Sequence, residues 1–513
     1  MSGNNLGNRF DEVVQAYGKE NAIIIRNQFI SYRELDCLSN RIARYLISKG
    51  LSKGDVVAIS SIKKIFTYGT ILACLKIGVI YCVVDRKSPI ARLNKIFNNC
   101  APKYIIADDR LSNACSDIDI SIINIYNESE ELIVNQFPGN SIDFQWTVES
   151  SFPVYIMYTS GSTGHPKGVT ITHGNLIYFI EWARQEFDLG PGERLTNINP
   201  LFFDNSVFDI FTSLFTGSCL VPFSRDDVKK PLKLINKIDK IKCTLWFSVP
   251  SLLIYFQTLK IFDVGNLRYI KKIIFGGEGY PKPELYKLFE LYNNRMDIFN
   301  VYGPTECTCI CSSYQITQED FFDMNGIPPL GKLLDNFDYI IIDEKNKEVS
   351  SDVIGELVLM GDQVGSGYYN DNKKTKGSFV QNPVNKFFSQ KSYITGDLVR
   401  FNSNDNKLYF EGRKDTQIKH MGYRIELNEI EYALLQNESI NEAAVMYFHQ
   451  NGSHKIVGFI SSSIFLDTKV IKSELLKILP SYMVPKFIYK LEILPKNVNG
   501  KIDRKKLIVK YTN

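Results

Sequence analysis

The alternation of short apolar segments with amphipathic segments constrains the fold of this 513-residue chain more than any other feature. Val56–Ser60 is typical of a buried strand, and Ile65–Lys76 is typical of the helix that follows it. Farther along, Tyr269–Phe275 indicates a strand and Pro283–Tyr292 a helix with proline near its first turn. Strands that alternate with helices favour parallel sheets covered on both faces, so we predict an α/β fold.

The pattern changes after about residue 340. Short strand-like segments separated by polar turns favour a small barrel or antiparallel sheet; they are Tyr339–Asp343, Gly355–Met360 and Leu408–Glu411. After Asp415 come strand-like and helix-like segments of a different order: Leu427–Gln436, Ala443–Phe448, Ile456–Ser461 and Ile471–Leu479. We predict a large N-terminal domain of residues 1–414, with its barrel part at about 335–414, and a small mobile α+β domain of residues 415–513.

Composition and charge exclude several classes of protein. The chain is 44% hydrophobic and 23% charged, which is ordinary for a globular protein and excludes a disordered chain or a coiled coil. Its formal net charge of +4 gives no reason to expect nucleic acid or an anionic membrane as a partner. Apolar stretches such as residues 78–84 are far shorter than the ~20 residues of a membrane span, and the N-terminus lacks a secretory pattern. We therefore predict a cytoplasmic protein without membrane insertion.

Ten cysteines are scattered along the chain, with one cluster at Cys307, Cys309 and Cys311. This C-x-C-x-C spacing lacks the C-x-x-C unit of a zinc site, and no second cysteine or histidine pair complements it. We predict reduced thiols on a strand.

The stretch from Tyr158 to Gly168 carries the strongest chemical signal. It contains three glycines, four Ser or Thr hydroxyls and Lys167, which suits a loop that wraps a polyphosphate with backbone N–H groups and hydroxyls. Proline precedes Lys167 and no Ser or Thr follows it, so this is not a Walker A loop. Taken alone, the stretch also fits a flexible polar loop.

Four further motifs follow it, at residues 300–306 (NVYGPTE), 393–397 (YITGD), 412–417 (GRKDTQ) and 494–504 (LPKNVNGKIDR). With them, the chain resembles the adenylate-forming enzymes over about residues 10–508, and among these the amino-acid adenylation domains of nonribosomal peptide synthetases and the D-alanyl carrier protein ligases. The resemblance implies that a carboxylate attacks the α-phosphorus of ATP with Mg²⁺ as cofactor. The activated acid then passes to the phosphopantetheine thiol of a carrier protein.

The resemblance also assigns nucleotide-binding roles. Phosphate binding falls to the loop residues Thr159, Ser160, Gly161, Ser162, Thr163, Gly164 and Lys167. Glu306 would bind Mg²⁺, because a hard cation takes carboxylate oxygen. Thr305 would contact the α-phosphate. The remaining positions on the nucleotide side are Tyr302 against adenine, Asp397 at the ribose hydroxyls, Arg413 nearby, and Gly277 and Glu278. Tyr302 also fits a core aromatic, and Asp397 a turn former.

Lys501 is the catalytic candidate, because a mobile ammonium can bridge the substrate carboxylate and the nucleotide as negative charge develops. In isolation, a lysine in this basic tail would be a solvated surface residue. Asp415 matches the hinge of the family, and Gly422 matches the loop glycine beside its thiol tunnel. Asp415 also fits a plain turn aspartate.

The resemblance places the acyl pocket after Phe203. A buried carboxylate is costly unless it is paired, so Asp204 favours an amino acid, whose α-ammonium it would pair, over a fatty or aryl acid. The other pocket positions carried over are Asn205, Phe208, Phe247, Ile274, Gly276, Val301, Cys309 and Ile310. The match of Phe247 to its pocket position allows a shift of one residue along the chain. This mostly apolar set favours isoleucine, valine or leucine.

Several alternatives stay open. Asn205 is bulkier than the residue usual at its position, which could shrink the pocket to fit alanine or glycine, including D-alanine. However, D-alanyl ligases usually lack the glycine found here as Gly303. An acyl- or aryl-CoA ligase of the same fold is a second alternative, and a binding module without turnover is a third. Because no carrier domain follows Asn513, we expect a stand-alone ligase that meets its carrier protein in trans.

Overall fold

The computed structural model describes residues 5–142, 148–335, 337–385, 387, 389–450, 453–497, 501–504 and 506–507. The chain forms two compact units. The first comprises Met1–Arg86, Cys100–Met157 and Val169–Lys414, and the second comprises Lys87–Asn99, Tyr158–Gly168 and Asp415–Asn513. The division into domains of residues 1–414 and 415–513 stays a prediction, because the second unit also takes in two earlier segments.

Helices flank the sheets along the whole described chain. The α-helices are Leu6–Tyr17, Tyr32–Ser48, Ile65–Ile77, Ile90–Cys100, Asp109–Ala114, Glu128–Asn135, His173–Glu186, Asn205–Leu214, Arg225–Val228, Pro231–Ile241, Pro250–Thr258, Lys282–Tyr292, Asn372–Ser378, Leu427–Leu434 and Thr468–Ile478. Short 3₁₀ helices span Thr305–Cys307, Gln318–Phe321 and Ser481–Met483. No helix within the described ranges is long and apolar enough to cross a membrane.

A nine-stranded sheet carries four residues of the predicted acyl pocket, Phe247, Ile274, Gly276 and Val301. Across the sheet, its strands are Lys332–Leu333, Ser312–Gln315, Asp297–Tyr302, Lys272–Gly276, Leu245–Ser248, Arg194–Asn197, Cys219–Pro222, Asn21–Ile25 and Gln28–Ser31. The inner strands are parallel and the strands at both edges are antiparallel. Parallel strands bring their carboxyl ends to one edge, where ligand sites of α/β proteins usually form.

Two further sheets complete the mixed architecture. The seven-stranded sheet has the order Gly367–Tyr368, Lys167–Thr172, Pro153–Thr159, Ile80–Val84, Val56–Ser60, Tyr104–Ile106 and Ser121–Ile123. The five-stranded antiparallel sheet contains Phe337–Ile342, Gly355–Gly361, Phe379–Gln381, Lys391–Asn402 and Lys407–Arg413. It accounts for the predicted barrel-like region, and the α/β fold class is confirmed.

The second unit has its own apolar core. A hairpin pairs Gln417–His420 with Tyr423–Glu426, and a three-stranded sheet contains Glu442–Gln450, Ser453–Ser461 and Phe487–Leu491. Ile430, Leu434, Ile471 and Leu475 are buried together between its helices and this sheet. In the hairpin turn, Met421 and Gly422 both have positive φ, 54° and 81°, as a tight two-residue hairpin turn requires.

Two predictions of local structure are wrong. The strand predicted to begin at Tyr269 spans only Lys272–Gly276. The cysteine cluster does not form a strand, because Cys307 ends a 3₁₀ helix and Thr308 and Cys309 have φ of 59° and 75°, which a strand excludes. None of the ten cysteines, all within the described residues, forms a disulfide.

Candidate active site

Three residues predicted to bind adenosine meet in the first unit. Register pairs Asp397 with Arg413 on adjacent antiparallel strands, and the Arg413 guanidinium forms an ion pair with the Asp397 carboxylate. The Tyr302 hydroxyl donates a hydrogen bond of 2.5 Å to the other carboxylate oxygen. Burial first, and the charge of Asp397 second, raise the pKa of Tyr302 well above its ordinary value. Tyr302 therefore stays a neutral donor that orients Asp397.

A second contact joins the predicted phosphate and amino-acid sites. The Thr305 hydroxyl donates to the carboxylate of Asp204, the residue directly before helix Asn205–Leu214. Thr305 begins the 3₁₀ helix that follows strand Asp297–Tyr302, so the strand end and the helix start share this hydrogen bond. The carboxylate thus lies beside the hydroxyl assigned to the α-phosphate.

Glu306 follows Thr305 and is fully buried. Its carboxylate accepts a hydrogen bond of 2.8 Å from the Tyr368 hydroxyl, and its carbonyl accepts the Gly365 N–H at 2.8 Å. No group of three or more His, Cys, Asp or Glu side chains placed to hold a metal occurs among the described residues. If Mg²⁺ binds at Glu306, phosphate and water would supply most of its ligands.

The predicted acyl-pocket residues lie on neighbouring elements of the first unit. Phe208, Phe247, Ile274, Val301, Cys309 and Ile310 are all buried. The rings of Phe208 and Phe247 meet edge to face with centroids 4.9 Å apart. Register places Phe247 beside Ile274 and Gly276 beside Val301 on parallel strands. All six side chains belong to one buried apolar cluster.

Two glycines, Gly276 and Gly277, lie at the end of strand Lys272–Gly276 beside these residues. A Cβ on Gly276 would lie 2.6 Å from the carbonyl oxygen of Val301, so no larger residue fits without a shift. Gly277 has φ of +85°, and a Cβ built there would lie 3.6 Å from the amide of Asn205. Next to them, the Glu278 carboxylate accepts the N–H of Ser251 at 3.1 Å.

Sequence reasoning missed Tyr155 and Tyr368. The Tyr155 hydroxyl is buried and has no hydrogen-bond partner among the described residues. Burial, then the neighbouring Tyr81, Cys309 and Asp204, raise its pKa well above the ordinary value. The position of Tyr155 on the mostly apolar strand Pro153–Thr159 was a sequence signal that its hydroxyl would be buried. The Tyr368–Glu306 contact joins residues 62 positions apart, and no local sequence pattern indicates it.

The predicted phosphate loop belongs to the second unit. Its donors are engaged there: the Gly161 N–H donates to Glu429 at 3.2 Å, and the Ser160 hydroxyl donates to the Arg424 carbonyl at 2.7 Å. The Lys167 ammonium lies 3.5 Å from a carboxylate oxygen of Glu426. Carboxylate oxygens thus occupy donors that the resemblance assigns to phosphates.

The rest of the loop is partly exposed. Ser162 and Thr163 are exposed, whereas Thr159 is buried and its hydroxyl has no partner in the described part of the chain. Gly164 has φ of +74°, and a Cβ there would lie 2.6 Å from the ring of Tyr432. Only glycine fits that turn.

The remaining predicted residues of the second unit lie on turns. Asp415 accepts the Gln417 N–H at 3.1 Å, which is a local turn contact, and Gly422 forms the hairpin turn described above. Lys501 is exposed, and its N–H donates to the Asn497 side chain at 3.0 Å. Residues 498–500 of the same motif lie outside the described residues.

The chain is similar to known proteins in sequence and in structure. Gramicidin S synthase 2 from Aneurinibacillus migulanus is 31% identical over 502 residues, which are 97% of this chain and 11% of that protein. Bacitracin synthase 3 from Bacillus licheniformis is 33% identical over 503 residues, 97% of this chain and 8% of that protein. The chain thus spans about a tenth of the length of these curated relatives.

Solved structures share the fold. A Vibrio cholerae adenylation domain, AlmE, in complex with glycyl-adenosine-5'-phosphate superimposes with a TM-score of 0.83 at 23% identity, covering 98% of this chain and 97% of that one. A double mutant of o-succinylbenzoate CoA synthetase from Bacillus subtilis gives a TM-score of 0.86 at 21% identity, covering 98% of each chain. The sequence pattern that defines the AMP-binding enzymes matches residues 10–369, more than half of the chain. The resemblance indicated by the five motifs is therefore confirmed, and the chain belongs to the AMP-binding enzymes of the adenylate-forming superfamily.

Proposed function

We propose that this protein is an ATP-dependent ligase that activates an amino acid as aminoacyl-AMP and passes it to the phosphopantetheine thiol of a separate carrier protein. The observation that carries the proposal is the position of the Asp204 carboxylate, which accepts the Thr305 hydroxyl directly before the helix that bears the buried Phe208. The α-ammonium of an amino acid would form a charge-assisted hydrogen bond with this carboxylate. A fatty or aryl acid has no group that would do so.

The nucleotide end supports ATP as the second substrate. Asp397 has its carboxylate fixed by Tyr302 and Arg413, and it would accept hydrogen bonds from the ribose hydroxyls. The Tyr302 ring would offer a flat face to adenine. Glu306 would bind Mg²⁺, which when bound offsets part of the negative charge of the phosphates.

In the first half-reaction, a carboxylate oxygen of the amino acid forms a bond to the α-phosphorus. The bond from that phosphorus to the oxygen bridging to the β-phosphate breaks, and pyrophosphate leaves. Both reactants are anionic, so the residues act by alignment and by offsetting charge. Thr305 would orient the α-phosphate, the loop from Thr159 to Lys167 would hold the outgoing phosphates, and Lys501 would stabilise the charge between the reactants.

In the second half-reaction, the carrier thiol gives up its proton and its sulfur attacks the acyl carbon. The bond to AMP breaks and a thioester remains. Asp415 and Gly422 would serve this step as hinge and thiol tunnel. Their positions on turns are compatible with those roles.

The side-chain surface supports an aliphatic substrate, with isoleucine, valine or leucine favoured. Phe208, Phe247 and Ile274 offer only carbon atoms to a substrate side chain, so acidic and basic amino acids would leave their charge unpaired. A methylene more or less is worth about 1–3 kcal/mol in such a pocket, so discrimination among close homologues should be soft. The edge contact of the two phenylalanine rings favours a second candidate, a small amino acid such as alanine or glycine.

The test is ATP–pyrophosphate exchange across the twenty amino acids, D-alanine and matched fatty and aryl acids. We expect exchange to peak on one aliphatic amino acid, followed by thioester formation on a carrier protein and not on coenzyme A. A peak on a fatty or aryl acid with a coenzyme A product would establish the acyl-CoA ligase instead. Absence of exchange with every acid would favour a binding module without turnover.

A further inference from the structure

We propose that Asp209 is a positioning residue that fixes the two aromatic walls of the acyl pocket against each other and thereby sets selectivity among acids. The inference rests on the proposed function only in taking this surface as the acyl pocket. Asp209 is fully buried on helix Asn205–Leu214, next to Phe208 in the chain. It was not among the residues that the sequence motifs singled out.

The Asp209 carboxylate is held by two amides. The Asn197 side chain donates to it at 2.8 Å, and the Asn199 side chain donates to the same oxygen at 3.1 Å. Asn197 ends strand Arg194–Asn197, and Asn199 follows it in the chain. The helix that carries Phe208 is therefore tied to the carboxyl end of this strand.

Asn199 extends the tie to the second wall. The same amide nitrogen donates to the backbone carbonyl of Phe247 at 3.1 Å. An amide has two hydrogens, so one group can serve Asp209 and Phe247 at once. The rings of Phe208 and Phe247 meet at 4.9 Å beyond this bridge. A single amide thus couples the helix wall to the strand wall.

A cation completes the cluster. The Lys63 ammonium donates to the carbonyls of Asn197, Ile198 and Phe223 at 2.6, 3.1 and 3.0 Å. Burial raises the pKa of Asp209 and lowers the pKa of Lys63, while the charge of each residue favours the charged form of the other. Apolar residues could fill this volume, but only directional hydrogen bonds fix how the helix is placed.

The experiment compares Asp209→Asn, Asn199→Ala and the double variant with the wild type, using pyrophosphate exchange. Because both ties act on the pocket walls, we expect KM for the acid to rise about tenfold in Asn199→Ala and less in Asp209→Asn. The ratio of kcat/KM between the preferred acid and its homologue one methylene shorter should fall about threefold or more. KM for ATP should stay unchanged, and the double variant should be no worse than Asn199→Ala, since the residues act as one unit.

Asp239→Asn is the matched control. Asp239 is also buried, and its carboxylate accepts the N–H groups of Leu267 and Arg268 at 3.2 and 2.7 Å, neither of them a pocket residue. It should lower Tm without changing selectivity. If the Asp209 and Asn199 variants also lower Tm while leaving the KM for the acid and the selectivity ratio unchanged, Asp209 is a stability residue and the inference is wrong. The assay uses whichever acid the wild type activates, so a non-amino acid would refute the proposed function without deciding this inference.

Discussion

The adenosine and acyl residues of the first unit differ from the phosphate loop of the second in how their polar groups are paired. In the first unit, donor groups hold the carboxylates: Tyr302 and Arg413 hold Asp397, and Thr305 holds Asp204. In the second unit, carboxylates of Glu426 and Glu429 occupy the donors of the loop. If these residues bind ATP as proposed, a nucleoside would add donors to carboxylates that are already oriented, whereas a polyphosphate would have to displace carboxylates from the donors of the loop.

The largest effect is expected at the exposed Lys501. Lys501→Ala should lower amino-acid-dependent pyrophosphate exchange by about 10²–10³-fold, the usual loss when one group that stabilises developing charge is removed. It should still pass a supplied aminoacyl-adenylate to a carrier thiol. Lys496→Ala, in the same tail and paired with Glu442, is the control and should leave both half-reactions unchanged.

A bulky residue at Gly422 should show the opposite bias, slowing thiol transfer more than exchange. Equal loss of both half-reactions in Lys501→Ala would contradict the role given to the lysine.

The next effect tests whether the Asp397 carboxylate of the first unit is the main contact to the nucleotide. Asp397→Ala should raise KM for ATP by about ten- to a hundredfold, since a hydrogen bond to a charged group is worth about 1.5–3 kcal/mol. Tyr302→Phe keeps the ring and removes only the 2.5 Å hydrogen bond, so its increase should be a few-fold. Equal effects of the two variants would mean that the hydroxyl, and not the carboxylate, is the main nucleotide contact. Initial-rate kinetics of exchange measures both.

A smaller effect of opposite sign is expected in the second unit. Glu426→Gln removes the negative charge 3.5 Å from Lys167, so the lysine loses a partner that competes with phosphate. The Kd for ATP, measured by calorimetry, should fall by about two- to fivefold, the range of a weak ion pair. Glu442→Gln, which removes a carboxylate paired with Lys496, is the control. Weaker ATP binding in Glu426→Gln would show that the carboxylate supports the loop instead of competing for it.

A separate effect concerns stability and pH. His173 accepts the Leu6 N–H at 3.0 Å, and burial lowers its pKa to about 3. The unfolded chain takes up this proton near pH 6.5, so stability is lost as the pH falls from about 6.5 towards 3, by about 1.4 kcal/mol per pH unit. His173→Asn keeps an acceptor without a titrating group and should flatten this part of the curve. Denaturant unfolding at pH 7 and pH 5 measures how much the free energy of unfolding changes between the two pH values. The same change in the wild type and in His173→Asn would contradict the prediction.

Local sequence was enough to predict much of the fold and several residues that meet in the candidate site. Val56–Ser60 was predicted as a strand and is one, because five consecutive apolar or small residues between polar ends suit a strand buried on both faces. Tyr302, Thr305 and Glu306 were found together because they lie within one short motif. The prediction of a strand at the cysteine cluster was wrong because its composition does not indicate the two successive positive φ angles at Thr308 and Cys309.

Long-range contacts were beyond such reasoning. The Asn199 bridge joins residues 10 and 48 positions away, and Tyr368 reaches Glu306 across 62. Neither spacing has a period that a helix or strand would produce, so only the packed sheets reveal these partners. The engagement of Lys167 with Glu426 is equally invisible, since a motif names the donors of a loop but not what occupies them.

The most direct test of amino-acid activation compares the preferred amino acid with its analogue lacking the α-amino group, in the wild type and in Asp204→Asn. The wild type should strongly prefer the amino acid, and Asp204→Asn should lose most of that preference while using the analogue about as well as the wild type does. A preference unchanged in Asp204→Asn, or a wild type indifferent to the amino group, would contradict the pairing of Asp204 with a substrate ammonium.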